Sequence, residues 1–286
     1  MKPGPTLNPI RRIQGEIVGH VRAVFNDRAK GERPVVRSGN ALFPRDSVIW
    51  RVHGDVTTMM VGGIAALLLQ MLHPAALTAV LDHSNFREDM LGRLRRTAKF
   101  IAITTYADRA AAEAAIARVR AIHERVTGTL PDGTPYRAGD PRLLAWVHAA
   151  EALCFLDAWI TYAEPGMSVA DQDRYFAEAA VVAQRLGADP VPRTRQAALA
   201  FVRDMRPALR ATQATHDVAQ LILAPKTANL GAMAVQRLLA KAAIDLLPDW
   251  ARGLLNLGRS GPEALLTHSA TKGMAATLRW AFSGQS

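Results

Sequence analysis

Apolar residues recur along this chain at three- and four-residue intervals, and nowhere do they alternate with polar ones over the length of a strand. That pattern predicts helices throughout. The clearest helix spans Asp108–Thr127. Ile116, Val119, His123 and Val126 share one face, alanines fill the rest, Asp108 occupies the capping position and Gly128 follows as a stop. Asp140 caps a helix that has Pro141 in its first turn and runs to Tyr162. Ser168 caps Asp171–Leu186, closed by Gly187, and Thr194 caps Arg195–Met205. Upstream, Asp46 or Ser47 caps a helix beginning near Val48. Val56–Leu72, Ala75–Asp82 (opened by Pro74) and Asp89–Tyr106 follow. Weaker patterns predict helices over 208–223, 227–246, 249–256 and 262–282. A short helix over Ile10–Phe25 would place Ile13, Ile17, Val21 and Val24 on one face. Residues 26–40, 82–85 and 131–135 read as loops and turns.

The longest apolar run, Met59–Leu72, is interrupted by Gly62-Gly63. It falls short of the roughly 20 residues a membrane span needs, so it reads as a core helix. No transmembrane segment is expected. The opening Met1-Lys-Pro-Gly-Pro lacks the apolar stretch of a secretory signal, and a cytoplasmic location is expected. The fold class is therefore all-α, a single globular multi-helix domain. We expect an N-terminal extension over 1–45, a helical core over 46–225 and helices packed on that core over 226–286. One cysteine, Cys154, excludes an intramolecular disulfide. The formal net charge of +10 admits a surface for nucleic acid or anionic membrane, but the arginines are scattered and form no reading motif. No specific nucleic-acid partner is expected.

Candidate chemistry concentrates between Leu67 and Gly128. His123 lies on an apolar helical face, where a neutral imidazole serves either as a hydrogen-bonded core group or as a ligand to iron or zinc. Arg93 and Thr97, four residues apart, point the same way from another helix. With Arg95, Arg96 and Lys99 they form either a solvated basic face or, through Arg93 and Thr97, a site for a buried anionic group. Zinc finds little support, because His73 and His83 are ten apart and Glu124 points away from His123. No dinucleotide fingerprint, Walker A motif or nucleophile elbow is present. His73, His148 and Trp146 read as core residues and Asp140 as a cap.

Several ordered motifs resemble one family. They are Leu-Gln-Met-Leu-His-Pro (69–74), Asp-His-Ser-Asn-Phe (82–86), Gly-Arg-Leu-Arg-Arg-Thr (92–97), His-Glu-Arg-Val-Thr-Gly (123–128), Pro-Asp-Gly-Thr-Pro-Tyr (131–136) and Asp-Pro-Arg-Leu-Leu-Ala-Trp-Val-His (140–148). The similarity continues through Asp173-Arg-Tyr, Leu186-Gly and Arg206-Pro-Ala-Leu-Arg to about residue 225. Together they resemble the domain earlier named DUF2236, shared by bacterial proteins, rubber oxygenases (latex-clearing proteins) and fungal MpaB-type oxygenases. The resemblance implies a globin-reminiscent helical fold with a buried pocket for one haem b. It implies His123 as the axial iron ligand, with Arg93 and Thr97 in the haem pocket. It further implies cleavage of carbon–carbon double bonds by dioxygen.

The chain departs from the pattern at three places. Arg96 stands where some rubber oxygenases carry a lysine able to approach the iron, and a guanidinium is a poor ligand. Residues 75–81 offer no distal glutamate, and the secretion signal of rubber oxygenases is missing. His83 and Arg96 remain as distal candidates. The expected function is a haem-dependent oxygenase acting on a small apolar, prenyl-like or otherwise unsaturated substrate with dioxygen. The alternative is a haem-binding or helical interaction protein without turnover.

Overall fold

The computed structural model describes Arg11, Gln14, Gly15 and Val18, then residues 34–224, 230–258, 261 and 264–283. Of the expected helix over 10–25, those four residues are helical, and its apolar positions Ile13, Ile17, Val21 and Val24 lie outside the described residues. Among the described residues twelve helices follow: α1 (Val48–His53), α2 (Val56–Gln70), α3 (Pro74–His83), α4 (Met90–Tyr106), α5 (Arg109–Arg125), α6 (Pro141–Tyr162), α7 (Val169–Leu186), α8 (Arg195–Met205), α9 (Gln213–Leu223), α10 (Leu230–Leu246), α11 (Asp249–Leu254) and α12 (Ala264–Ser283). One antiparallel hairpin, β1 (Thr127–Thr129) with β2 (Pro135–Arg137), lies between α5 and α6. The class is all-α, as the periodicity predicts.

Short polar side chains fix most helix starts by accepting from the free amides of the first turn. Asp55 takes Thr58 N at 2.9 Å and Asp140 takes Leu143 N at 2.8 Å. Ser168 and Thr194 cap α7 and α8 at 3.1 Å each. Ser47 occupies the capping position of α1 without making the bond. Gly187 ends α7 with φ of 97°, a left-handed turn that glycine adopts without cost.

The core is built on α2 against α6, which run antiparallel. Gln70 donates to Val147 O at 2.9 Å at one end, and Gly62 meets Cys154 and Phe155 at the other. A Cβ on Gly62 would stand 2.8 Å from Cys154 O, so that glycine is what lets the two backbones touch. Trp146 is fully buried, with its indole N–H donating to Gln70 O at 3.3 Å. The helices α10 and α12 pack on α2. Asp55, which caps α2 with one oxygen, binds Arg279 of α12 with the other at 2.7 Å.

Several boundaries differ from the sequence pattern. The helix expected over Val56–Leu72 stops at Gln70, where the chain turns so that Pro74 can open α3. The helix expected over Asp108–Thr127 stops at Arg125, and Thr127 begins the hairpin instead. The helix expected from residue 208 starts at Gln213, after a short 3₁₀ turn over Arg206–Ala208 that contains Pro207.

Candidate functional site

The two helices that carry the predicted site residues form an antiparallel hairpin, α4 followed by α5, hinged at Ala107 and Asp108. Asp89 caps α4 by accepting from Gly92 N at 2.8 Å. Asp108 caps α5 through Ala110 N and is itself held by the Asn40 side chain, both at 3.0 Å. This arrangement brings the first turn of α4 beside the last turn of α5, and so Arg93 beside His123. The imidazole of His123 is held below its ordinary pKa by burial first and by the Arg93 guanidinium second. It is therefore neutral at physiological pH. Its Nδ1 is buried without a hydrogen-bond partner, and Nε2 makes no hydrogen bond among the described residues. The buried face of α5 is the expected one: Ala112 and Ile116 are fully buried, and Val119 and His123 are half-buried in line with them.

Arg93 is half-buried and makes neither a hydrogen bond nor an ion pair among the described residues. Burial first, and Arg96 second, hold its pKa below the usual guanidinium range. A desolvated cation without a counter-charge is costly, and an anionic group placed beside it relieves that cost. Thr97 lies one turn further along α4 and is exposed. Arg96 is exposed and pairs with Asp89 at 3.3 Å. His83 is exposed and donates from Nε2 to Thr127 O at 3.1 Å, with its ring edge-on to Tyr136. The structure thus joins His123 with Arg93, while Arg96 and His83 spend their polar atoms on a helix cap and the hairpin.

The hairpin itself was not anticipated, since two three-residue strands are too short to show alternation. It folds back on the end of α5, where Ala138 N donates to Val126 O at 2.9 Å. Gly128, expected to stop α5, serves the hairpin instead. A Cβ there would lie 2.5 Å from the Tyr136 hydroxyl, so only glycine lets that ring cross the strand.

A second polar group lies inside the bundle, on four different helices. His53 of α1 bridges the Thr105 hydroxyl of α4 (Nδ1, 2.9 Å) and the Tyr175 hydroxyl of α7 (Nε2, 3.1 Å). Its pKa is pushed down to about 3 by burial and by His148. His148 of α6 is pushed down to about 4 by burial, and its Nε2 is buried without a partner. Glu151, one turn along, is pushed up to about 7 by burial. His148 and Glu151 keep partial accessibility although Ala149, Ala150 and Ala152 are buried. A charged residue in the middle of an apolar 22-residue helix was the available signal for Glu151. His73, read from the sequence as a core residue, is half-buried and accepts from Ala75 N at 3.2 Å as the cap of α3, while Asp140 caps α6, as read from the sequence.

Among the described residues no group of three or more His, Cys, Asp or Glu side chains converges on a point, so a metal held by protein ligands alone finds no donor set. One described helix, α6, is long and apolar enough to cross a bilayer, and most of it is buried in the protein. The pair α2 and α3 reaches that length only across a 105° bend.

These features define a helical domain in which His123 and Arg93 lie side by side without partners among the described residues. Residues 50–280 match the family model of the ER-bound oxygenase mpaB/B' and rubber oxygenase catalytic domain, and the chain belongs to that family. No curated protein and no solved structure matches it.

Proposed function

We propose that the chain is a haem b-dependent oxygenase that acts with dioxygen on a small apolar substrate of the prenyl or otherwise unsaturated kind. One observation carries the reading. A neutral His123 stands beside a half-buried Arg93, and neither has a hydrogen-bond or ion-pair partner among the described residues. Haem presents the two matching demands, a metal centre that takes one imidazole and carboxylates that take a guanidinium. The donor set therefore fits the group: His123 would hold the iron, Arg93 would take a carboxylate and Thr97 would add one further donor.

When bound, haem supplies the iron that activates dioxygen. The chain supplies the rest. Burial and Arg93 keep the His123 imidazole unprotonated and free to donate its lone pair. Leu94, Phe100 and Ile101, on the same helix as Arg93, are partly buried against the core and are the apolar side chains α4 would offer an apolar substrate. Glu151 is a carboxyl that burial lets keep a proton near neutral pH.

The test is an absorption spectrum of protein expressed with haem supplied. About one haem per chain with a Soret band is expected, and its absence from a haem-replete preparation rejects the reading. Oxygen consumption with a prenylated substrate then separates an oxygenase from a haem carrier without turnover.

A further inference from the structure

The helix α6 is apolar and mostly buried, yet it opens at one place. Val147, His148 and Glu151 lie on one side of it, at i, i+1 and i+4, and all three are partly accessible. Leu144, one turn before them on that side, and Phe155, one turn after, are buried, as are Ala149, Ala150 and Ala152 beside them. The opening is therefore a short window in a buried helix, closed at both ends. Two polar groups in it are without partners. Nε2 of His148 is sealed off, but its Nδ1 and both carboxyl oxygens of Glu151 are not, and none of the three makes a hydrogen bond or ion pair among the described residues. His53 of α1 offers them nothing, because Thr105 and Tyr175 take both its ring nitrogens. Burial alone shifts the two groups, lowering the His148 pKa to about 4 and raising that of Glu151 to about 7. Between those values the window holds an uncharged imidazole beside an uncharged carboxyl. No arginine or lysine shifts either group, so nothing there favours an anion. Among the described residues a metal ion finds no third donor. The chemistry that remains is a neutral oxygen able to complete two hydrogen bonds.

We propose that this window is a binding site for the uncharged oxygen of a small alcohol or carbonyl compound, held between the Glu151 carboxyl and Nδ1 of His148. An alcohol accepts from the protonated carboxyl and donates to the imidazole, and a carbonyl accepts from the carboxyl alone. Leu144, Val147 and Phe155, which border the pair on α6, suit an apolar remainder. Such a site gives the unsaturated substrate a neutral polar end, and it rests on the oxygenase reading only for the ligand's being a substrate. Binding itself requires no haem. Discrimination in a site of this kind is steep, since an analogue without the oxygen leaves two polar groups unpaired.

The experiment is calorimetric titration of the full chain at pH 6, its haem content measured beforehand, with geraniol, a prenyl alcohol, and with the hydrocarbon of the same skeleton. Saturable binding of the alcohol is expected, about tenfold tighter than that of the hydrocarbon. Glu151→Leu should erase the preference and His148→Leu should reduce it. Infrared difference spectra add a readout that a merely structural carboxyl would not move. The carbonyl stretch of the protonated acid, assigned by its loss in Glu151→Gln, should shift with the alcohol and stay in place with the hydrocarbon. That band decides the matter if Glu151→Leu fails to fold. Equal affinity for the two ligands, a preference that survives Glu151→Leu, or a carboxyl band that the alcohol leaves in place overturns the site. Alcohol preference in a chain that takes up no haem keeps this site and rejects the oxygenase. Haem uptake without the preference does the reverse.

Discussion

The α2–α6 pair and the α4–α5 pair are both antiparallel, yet they are built to opposite specifications. Between α2 and α6 the contact is closed: Gly62 lets the backbones touch, Trp146 has no exposure, and the polar atoms of Gln70 and the indole are matched. Between α4 and α5 the polar end is open. His123 and Arg93 lie near each other, half-buried and without partners among the described residues. The first pair has what it needs from the chain itself. The second keeps a lone pair and a charge unmatched among the described residues, which is where the proposed haem would bind. On that proposal, substitutions in the first pair should cost stability and substitutions in the second should cost haem.

The sharpest test lies in the closed pair. Trp146→Ala should cost about 3–5 kcal/mol, through the cavity and the abandoned Gln70 carbonyl, measured by urea unfolding. A loss below about 1 kcal/mol would mean that this contact does not carry the fold. In the open pair the effect should fall on the cofactor. His123→Ala should keep its far-ultraviolet helicity and its melting temperature, since its ring leaves no hydrogen-bond partner behind. Its Soret band should vanish or shift, and added imidazole should partly restore it. An unchanged haem spectrum would return His123 to the core.

Arg93→Ala should weaken haem binding by roughly 1.5–3 kcal/mol, the worth of a charge-assisted hydrogen bond. The apo protein should be no less stable, because a desolvated cation without a partner has been removed. Arg120→Ala, on the same hairpin but in an exposed pair with Glu124, is the control, with a stability change near 0.3–0.5 kcal/mol and no loss of haem. Equal haem retention in the two variants contradicts the assignment of Arg93.

The interior histidines and Glu151 give a pH signature. From its ordinary value of 4.5 up to about 7, the folded chain keeps a proton on Glu151 that the unfolded chain releases, so this group's contribution falls as pH rises through that window. His53 and His148 act the other way: below 6.5 the unfolded chain takes up protons that the folded chain refuses, so stability falls as pH drops toward 4. Glu151→Gln removes the first effect alone. The variant should be more stable than the parent at pH 8, by about 1–2 kcal/mol, with little difference at pH 5. Parallel denaturation midpoints at both pH values would show that Glu151 is not held protonated by the fold.

Much of this was legible from local pattern. Caps at Asp108, Asp140, Ser168 and Thr194, read from a short oxygen-bearing side chain before an apolar period, make the expected bond, while the cap read at Asp46 or Ser47 does not. The nearness of His123 and Arg93 was also within reach, since two long helices joined by two residues must fold back on each other. The interior group was not. His53, Thr105, His148, Glu151 and Tyr175 come from four helices, and no spacing rule relates residues whose contact is set by tertiary packing. The hairpin hid for another reason: Gly128 satisfies a helix-stop rule and a ring-crossing rule equally well, and only the position of Tyr136 distinguishes them.

The carboxylate of Asp55 has a consequence for how the molecule is made. One oxygen finishes the first turn of α2, and the other waits for Arg279, a partner 224 residues away. During synthesis the central helix emerges long before the helices that cover its outer face, so its apolar surface must be tolerated uncovered until α10 and α12 arrive. A contact closing a loop of 224 residues carries a high loop-closure cost, which makes it a late event in folding. A polypeptide cut short before α12 would lack this latch and expose α2 to solvent, giving quality-control proteases a means to tell unfinished copies from finished ones.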